Sequence, residues 1–311
     1  MSMPPVFELL ARAEALLALR RWAEAQRFAL DALAVEPQDE GAHALLARAL
    51  AEQGLHDEAI ATTEKGLAAN PASEWLHRVR SSALLAAHRY EDAFLGASEA
   101  LTLLPMNGSA HHLRSLALQG LGRLHEARVE AERAVTLSPE SAEFRAALGD
   151  AWLNEDPPRA ELLYRESLAM APEQPLVLNN LSVALRRQRR RSEAALALKS
   201  ALLLDPTLPL PKWNVFSLSN PVRLAPTPLL ASIALQMLAV GLAYDSMTRR
   251  NRYWLTLGIM MACEVVSLGM VAWARKIGFR RLRRLDPQLY AIRRALEADV
   301  RARRLESVVA P

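Results

Sequence analysis

Through roughly the first two hundred residues the apolar positions return at helical spacing, and no stretch alternates apolar and polar residues as a half-buried strand does. Prolines punctuate this pattern at Pro37, Pro71, Pro105, Pro139, Pro172 and Pro206, at intervals of 34, 34, 34, 33 and 34 residues. Small residues keep the same step. Ala25, Ala59, Ala93, Ala127, Ala160 and Ala194 each stand twelve residues before a closing proline. Ala32, Gly66, Ala100, Ala134, Ser167 and Ala201 stand five before it. A unit of this length holds two helices of about three to four turns, each with one apolar stripe. One pair cannot bury its stripe alone, whereas a stack of pairs can. The pattern therefore predicts an all-α array of helix pairs, with small residues where backbones approach and a proline ending each second helix.

Beyond Pro206 the register is lost. Residues 207–223 are rich in proline and read as an extended linker. Two apolar stretches follow, 224–244 and 254–274, separated by the polar run "DSMTRRNRY". At about 1.5 Å per residue the second spans roughly 31 Å, the thickness of a bilayer core. Tyr253, Trp254 and Trp273 lie near its ends, as interfacial aromatics do. These features predict a transmembrane helical hairpin. Its one acid, Glu264, costs about 2.5–3.5 kcal/mol at mid-span, nearly what the Leu, Ile and Val residues of the run return. Glu264 is expected to be protonated and hydrogen-bonded to Gln236 at similar depth in the other helix. The alternative is a functional intramembrane acid.

Charge sharpens this division. Residues 1–245 hold 24 Lys+Arg against 29 Asp+Glu, and residues 246–311 hold 14 against 5. A basic tail beside an apolar run suggests anionic lipid rather than nucleic acid. Arg275, Lys276, Arg280, Arg281, Arg283 and Arg284 are expected to face that lipid, with Leu282 among the apolar residues of the same segment. Asp286 and Pro287 read as the cap and first turn of a last helix. Glu8, Arg12 and Glu14 interrupt the N-terminal apolar residues, so no signal peptide is expected. With the positive-inside rule, this predicts an integral protein of a bacterial inner membrane with both termini cytoplasmic.

The residues at the 34-residue step resemble the tetratricopeptide repeat, in six units over residues 6–206. The resemblance implies a right-handed α-solenoid whose concave groove, lined by the first helix of each unit, binds a peptide or partner helix. Carried onto this sequence, the groove residues are Arg48, Trp75, Arg78, Ser82, His112, Asp150, Asn179, Val183 and Arg186. The carboxylate clamp of some family members is absent, because Leu10, Glu14, Leu45, Trp75 and Val79 occupy its positions. Two departures stand out. His43, His77 and His111 take the place of a usual aromatic, and the fifth unit is one residue short around "NEDPPRA".

Little in the chain suggests chemistry. The histidines at the repeat step would lie about 8–10 Å apart on stacked helices, too far to share one metal. "GLGRLHEA" lacks the third glycine and the preceding strand of a dinucleotide-binding turn. A single cysteine, Cys263, excludes a disulfide framework. No catalytic arrangement, metal site or cofactor is expected. The reading is a membrane-anchored scaffold that binds a protein partner from the cytoplasmic side. Its alternatives are an assembly or gating subunit of a transport or secretion machine using Glu264, or a soluble regulator with its hairpin packed on protein.

Overall fold

The computed structural model describes residues 5–207, 214, 280, 282–284, 286–295 and 297–298. Among them there is no strand. They fall into two compact units divided between Pro172 and Glu173. The first holds five helix pairs: α1 (Val6–Ala18) with α2 (Trp22–Val35), α3 (Glu40–Glu52) with α4 (His56–Ala69), α5 (Glu74–Ala86) with α6 (Tyr90–Leu103), α7 (Gly108–Gly120) with α8 (Leu124–Leu137), and α9 (Ala142–Trp152) with α10 (Pro157–Met170).

Several helix starts and ends in this unit have identifiable causes. Two residues after each of the first four closing prolines stands a capping side chain. Asp39, Ser73, Asn107 and Ser141 accept from the backbone N–H of Ala42, Leu76, Ala110 and Phe144 at 2.6, 3.0, 3.0 and 3.3 Å. Such caps satisfy one of the donors that a helix start leaves open. Within the pairs, the first helix ends on a left-handed residue: Arg20, Gly54, His88 and Gly122, with φ of 57°, 80°, 59° and 75°. The following N–H then reaches back to the carbonyl five residues earlier, as from Leu55 to Leu50 at 3.0 Å and Arg123 to Leu118 at 2.9 Å.

The fifth pair is built differently, and the residue it lacks is this left-handed one. α9 has 11 residues where α3, α5 and α7 have 13. Asp156 donates its N–H to the Trp152 carbonyl at 2.9 Å, caps α10 through Arg159 N, and is followed by two prolines in the first helical turn. The Arg128 and Arg159 guanidiniums both approach the Trp152 ring, at 4.6 and 4.0 Å from its centroid, and add contacts at this turn.

The small residues at the repeat step lie where the array is densest. Ala25, Ala59, Ala93, Ala127 and Ala160 are buried, as are Ala32, Gly66, Ala100, Ala134 and Ser167. A Cβ added at Gly66 would stand 2.8 Å from Leu76 Cδ1 and 2.9 Å from His43 Cβ, so these helices approach more closely than a methyl allows. Polar bonds tie successive pairs together. Glu40 accepts from Asn70 and Ser73 at 2.9 and 2.6 Å, and Glu74 accepts from Asn107 at 2.9 Å. Within this unit each first helix also packs on the next first helix, whereas each second helix packs on the first helix of its own pair and, for α2, α4, α6 and α8, on the first helix that follows. First helices are thus the more closely spaced, and their outer face forms the concave side of this unit.

The second unit contains α11 (Pro175–Arg187) and α12 (Arg191–Leu204), which pack as a sixth pair with Arg189 in the left-handed turn. It also contains a helical stretch, 287–295, from near the C-terminus. Asp286 caps that stretch, its carboxylate accepting from the N–H groups of Gln288 and Leu289 at 2.8 and 3.2 Å. The same carboxylate lies 3.5 Å from Lys199 Nζ on α12, and Leu282 and Leu289 are fully buried.

Candidate functional site

The concave side of the first unit holds a cleft of about 640 Å³. Arg48, Trp75, Arg78, Ser82 and His112 all line it, so the sequence register brings five expected groove residues to one place. Their states differ. Trp75 is half buried, leaning over α3 beside Gly41, where a side chain is missing. Arg78 is not free, because its Nε donates to Glu74 at 2.5 Å in an ion pair. Arg48 and Ser82 are exposed. His112 is buried, stacked on Phe144 with ring centroids 4.8 Å apart. Its Nε2 faces the Glu143 carboxylate at 3.3 Å, and that hydrogen bond holds the Glu143 carboxyl below its usual range.

Other residues line the cleft without having been expected there, Glu52, Glu143, Trp22 and Phe144, and beside them stands Glu14, from one of the clamp positions. Glu14 occupies in α1 the position of Arg48 in α3 and Ser82 in α5. Glu143 likewise holds the position of Trp75. Both were reachable by extending the repeat register. Trp22 opens a second helix and enters from outside that register, so only the packing places it here.

The histidines at the repeat step form no metal site. His43, His77 and His111 each direct Nε2 to the carbonyl of the preceding closing proline, Pro37, Pro71 and Pro105, at 3.0 Å in every case. In the fifth pair Arg145 does the same for Pro139 at 2.7 Å. A proline carbonyl at a helix end lacks an intrahelical partner, and these rings supply one. Among the described residues no group of three or more His, Cys, Asp or Glu side chains is placed to hold a metal.

Residues 16–83 match one tetratricopeptide repeat profile, and residues 112–175 and 151–209 match a second, together more than half of the chain. The chain belongs to the tetratricopeptide repeat family. No curated protein matches the sequence. A thermophilic TPR protein of Thermus thermophilus is similar in structure, with 26% identity, coverage of 58% of this chain and 98% of that one, and a TM-score of 0.54. PilF of Pseudomonas aeruginosa shares the fold at 18% identity, covering 67% and 95% of the two chains with a TM-score of 0.55. A chain of the APC/C hetero-tetramer Cut9–Hcn1 shares it at 15% identity, covering 67% and 41%, with a TM-score of 0.62. The protein is an all-α tetratricopeptide repeat solenoid, a scaffold of the protein-interaction type.

The remaining expected groove residues of this tetratricopeptide repeat protein divide between the units. Asp150 is drawn into the fifth pair, where its carboxylate accepts from the fully buried Tyr164 hydroxyl at 2.6 Å. Asn179, in the second unit, is buried and accepts from Asn214 at 2.7 Å. Val183 and Arg186 are half buried in the same unit, and desolvation together with the charge of Arg187 lowers the Arg186 pKa.

In the tail, Arg280, Arg283 and Arg284 are exposed. Leu282, expected among them against lipid, is instead fully buried in the protein. No helix among the described residues is long and apolar enough to cross a membrane. The apolar stretches 224–244 and 254–274, with Gln236 and Glu264, lie outside the described residues, as do Arg275, Lys276 and Arg281.

Proposed function

We propose that the protein is a membrane-anchored adaptor that recruits a partner protein through the cleft of its first unit, on the cytoplasmic side. The observation that carries the recruiting role is the convergence of Arg48, Trp75, Arg78, Ser82 and His112 on one concave surface of 640 Å³. A half-buried indole in a cleft is a strong anchor, because it offers large apolar area and is already held in place. Anchoring rests on the two uncharged or nearly uncharged stretches of spanning length. The placement of both termini on one side rests on the positive-inside rule and on the two stretches forming a hairpin.

The test combines crosslinking with fractionation. Partners crosslinked in membranes should be lost with Trp75→Ala, at a cost of about 2 kcal/mol in affinity. Carbonate washing should leave the full-length protein in the pellet. A partner that crosslinks equally to the folded Trp75→Ala variant refutes the cleft, and release of the full chain by carbonate refutes the anchor.

A further inference from the structure

The arginines, tryptophan and histidine of the groove register suggest, on their own, a receptor for acidic ligands. The pairings in the cleft reverse that sign. Arg78 is neutralised by Glu74, which leaves Arg48 as the cation of the cleft without a partner among the described residues. Against it stand three carboxylates. Glu14 and Glu52 are exposed and make no hydrogen bond or ion pair among the described residues, and Glu143 is exposed beside His112.

His112 also lines the cleft. A carboxylate only accepts, so the ring donates from Nε2 to Glu143. Its Nδ1 is buried and has no hydrogen-bond partner, in a residue 6% exposed. The charged groups of the cleft that make no ion pair among the described residues are thus Glu14 and Glu52 against Arg48, and its walls include the indoles of Trp22 and Trp75.

Resting on the reading of this cleft as the partner site, we propose that its ligand is a basic peptide segment. Lysine and arginine side chains carry donors and no acceptors, which complements this set. They are also attracted to indole faces. Glu14, in the third turn of α1, Glu52, at the end of α3, and Trp22, opening α2, form the end of the cleft that takes the cation. Trp75 and Phe144, near the starts of α5 and α9, take an apolar side chain of the same segment. Arg48 is left to a backbone carbonyl of the peptide.

The experiment uses the full-length protein in non-ionic detergent and fluorescence anisotropy. The probes are a fluorescein-labelled decapeptide repeating Ser-Lys-Leu-Lys-Ala and the same peptide with Glu in place of Lys. The Lys peptide is expected to bind about tenfold more tightly or better, and to weaken as salt is raised. The double substitution Glu14→Gln with Glu52→Gln, on exposed side chains, should weaken it roughly tenfold without altering thermal unfolding. Trp75→Ala should weaken it as well. Tighter binding of the Glu peptide, abolished by Arg48→Gln, overturns the basic ligand and leaves the cleft as the partner site. Binding of the Lys peptide that neither the double variant nor Trp75→Ala affects overturns both. Failure of the Lys peptide to bind overturns the basic ligand.

Discussion

Tyr164 and Asp150 provide a sensitive test of how the shortened fifth repeat is held. The Tyr164 ring is fully buried, and its hydroxyl donates to the Asp150 carboxylate at 2.6 Å. A hydrogen bond to a charged group contributes about 1.5–3 kcal/mol. Asp150 is half buried, so water can partly replace the hydroxyl, and the lower part of that range applies. Tyr164→Phe should therefore cost about 1.5–2 kcal/mol in the local stability of α9 and α10. Because an array of repeats need not unfold in one step, the suitable readout is local amide exchange rather than a global midpoint. Exchange of protected amides in 142–170 should accelerate roughly 10- to 30-fold, with α1–α4 unchanged. Gly149→Ala is a companion probe, since its new Cβ would lie 2.7 Å from Tyr164 Cε1, and the hydrogen-bonded ring cannot swing away. Overpacking of about 1–3 kcal/mol should outweigh the roughly 1 kcal/mol that alanine gains over glycine in a helix. Unchanged exchange in 142–170 for both variants would refute the view that Asp150 serves the repeat rather than the groove.

Two further outcomes follow from the turns and the cleft. Arg20 is exposed with φ of 57°, so Arg20→Gly should raise the local stability of α1 and α2 by about 0.5–1 kcal/mol, the left-handed penalty less the added freedom of glycine in the unfolded chain, as measured by slower amide exchange in 6–35. The Glu143 carboxyl is held below its ordinary pKa of 4.5, mainly by the His112 hydrogen bond, so its contribution to stability is present above that value and is lost as pH falls through the lowered one. Glu143→Gln should flatten that acid limb of the stability profile while changing stability at pH 7 by no more than about 0.5 kcal/mol, and an unaltered acid limb would refute the linkage.

Periodicity alone carried much of the architecture. A 34-residue step in proline and in small residues admits few alternatives, because paired helices of this length bury their stripes only by stacking, and only small side chains permit the approach seen at Gly66 and Ala134. The missing residue of the fifth unit was equally visible as a step of 33. That it was the left-handed one required the backbone, since several residue types occupy that turn: Arg20, His88 and Arg189 as well as glycines. The histidines show the same limit. Their spacing argued against a shared metal, but their partners, the carbonyls of Pro37, Pro71 and Pro105, emerged only when the chain was folded. In the cleft, register named Arg48, Trp75 and Arg78 without saying which of their charges a ligand would meet. That depends on tertiary contacts, because a charge acts on a ligand only to the extent that no neighbour neutralises it. The spacing of Arg78 and Glu74 allows their ion pair and the register reaches Glu14 and Glu143, but the arrival of Glu52 and Trp22 at the same concave face is a matter of packing between helices, which a linear pattern does not contain.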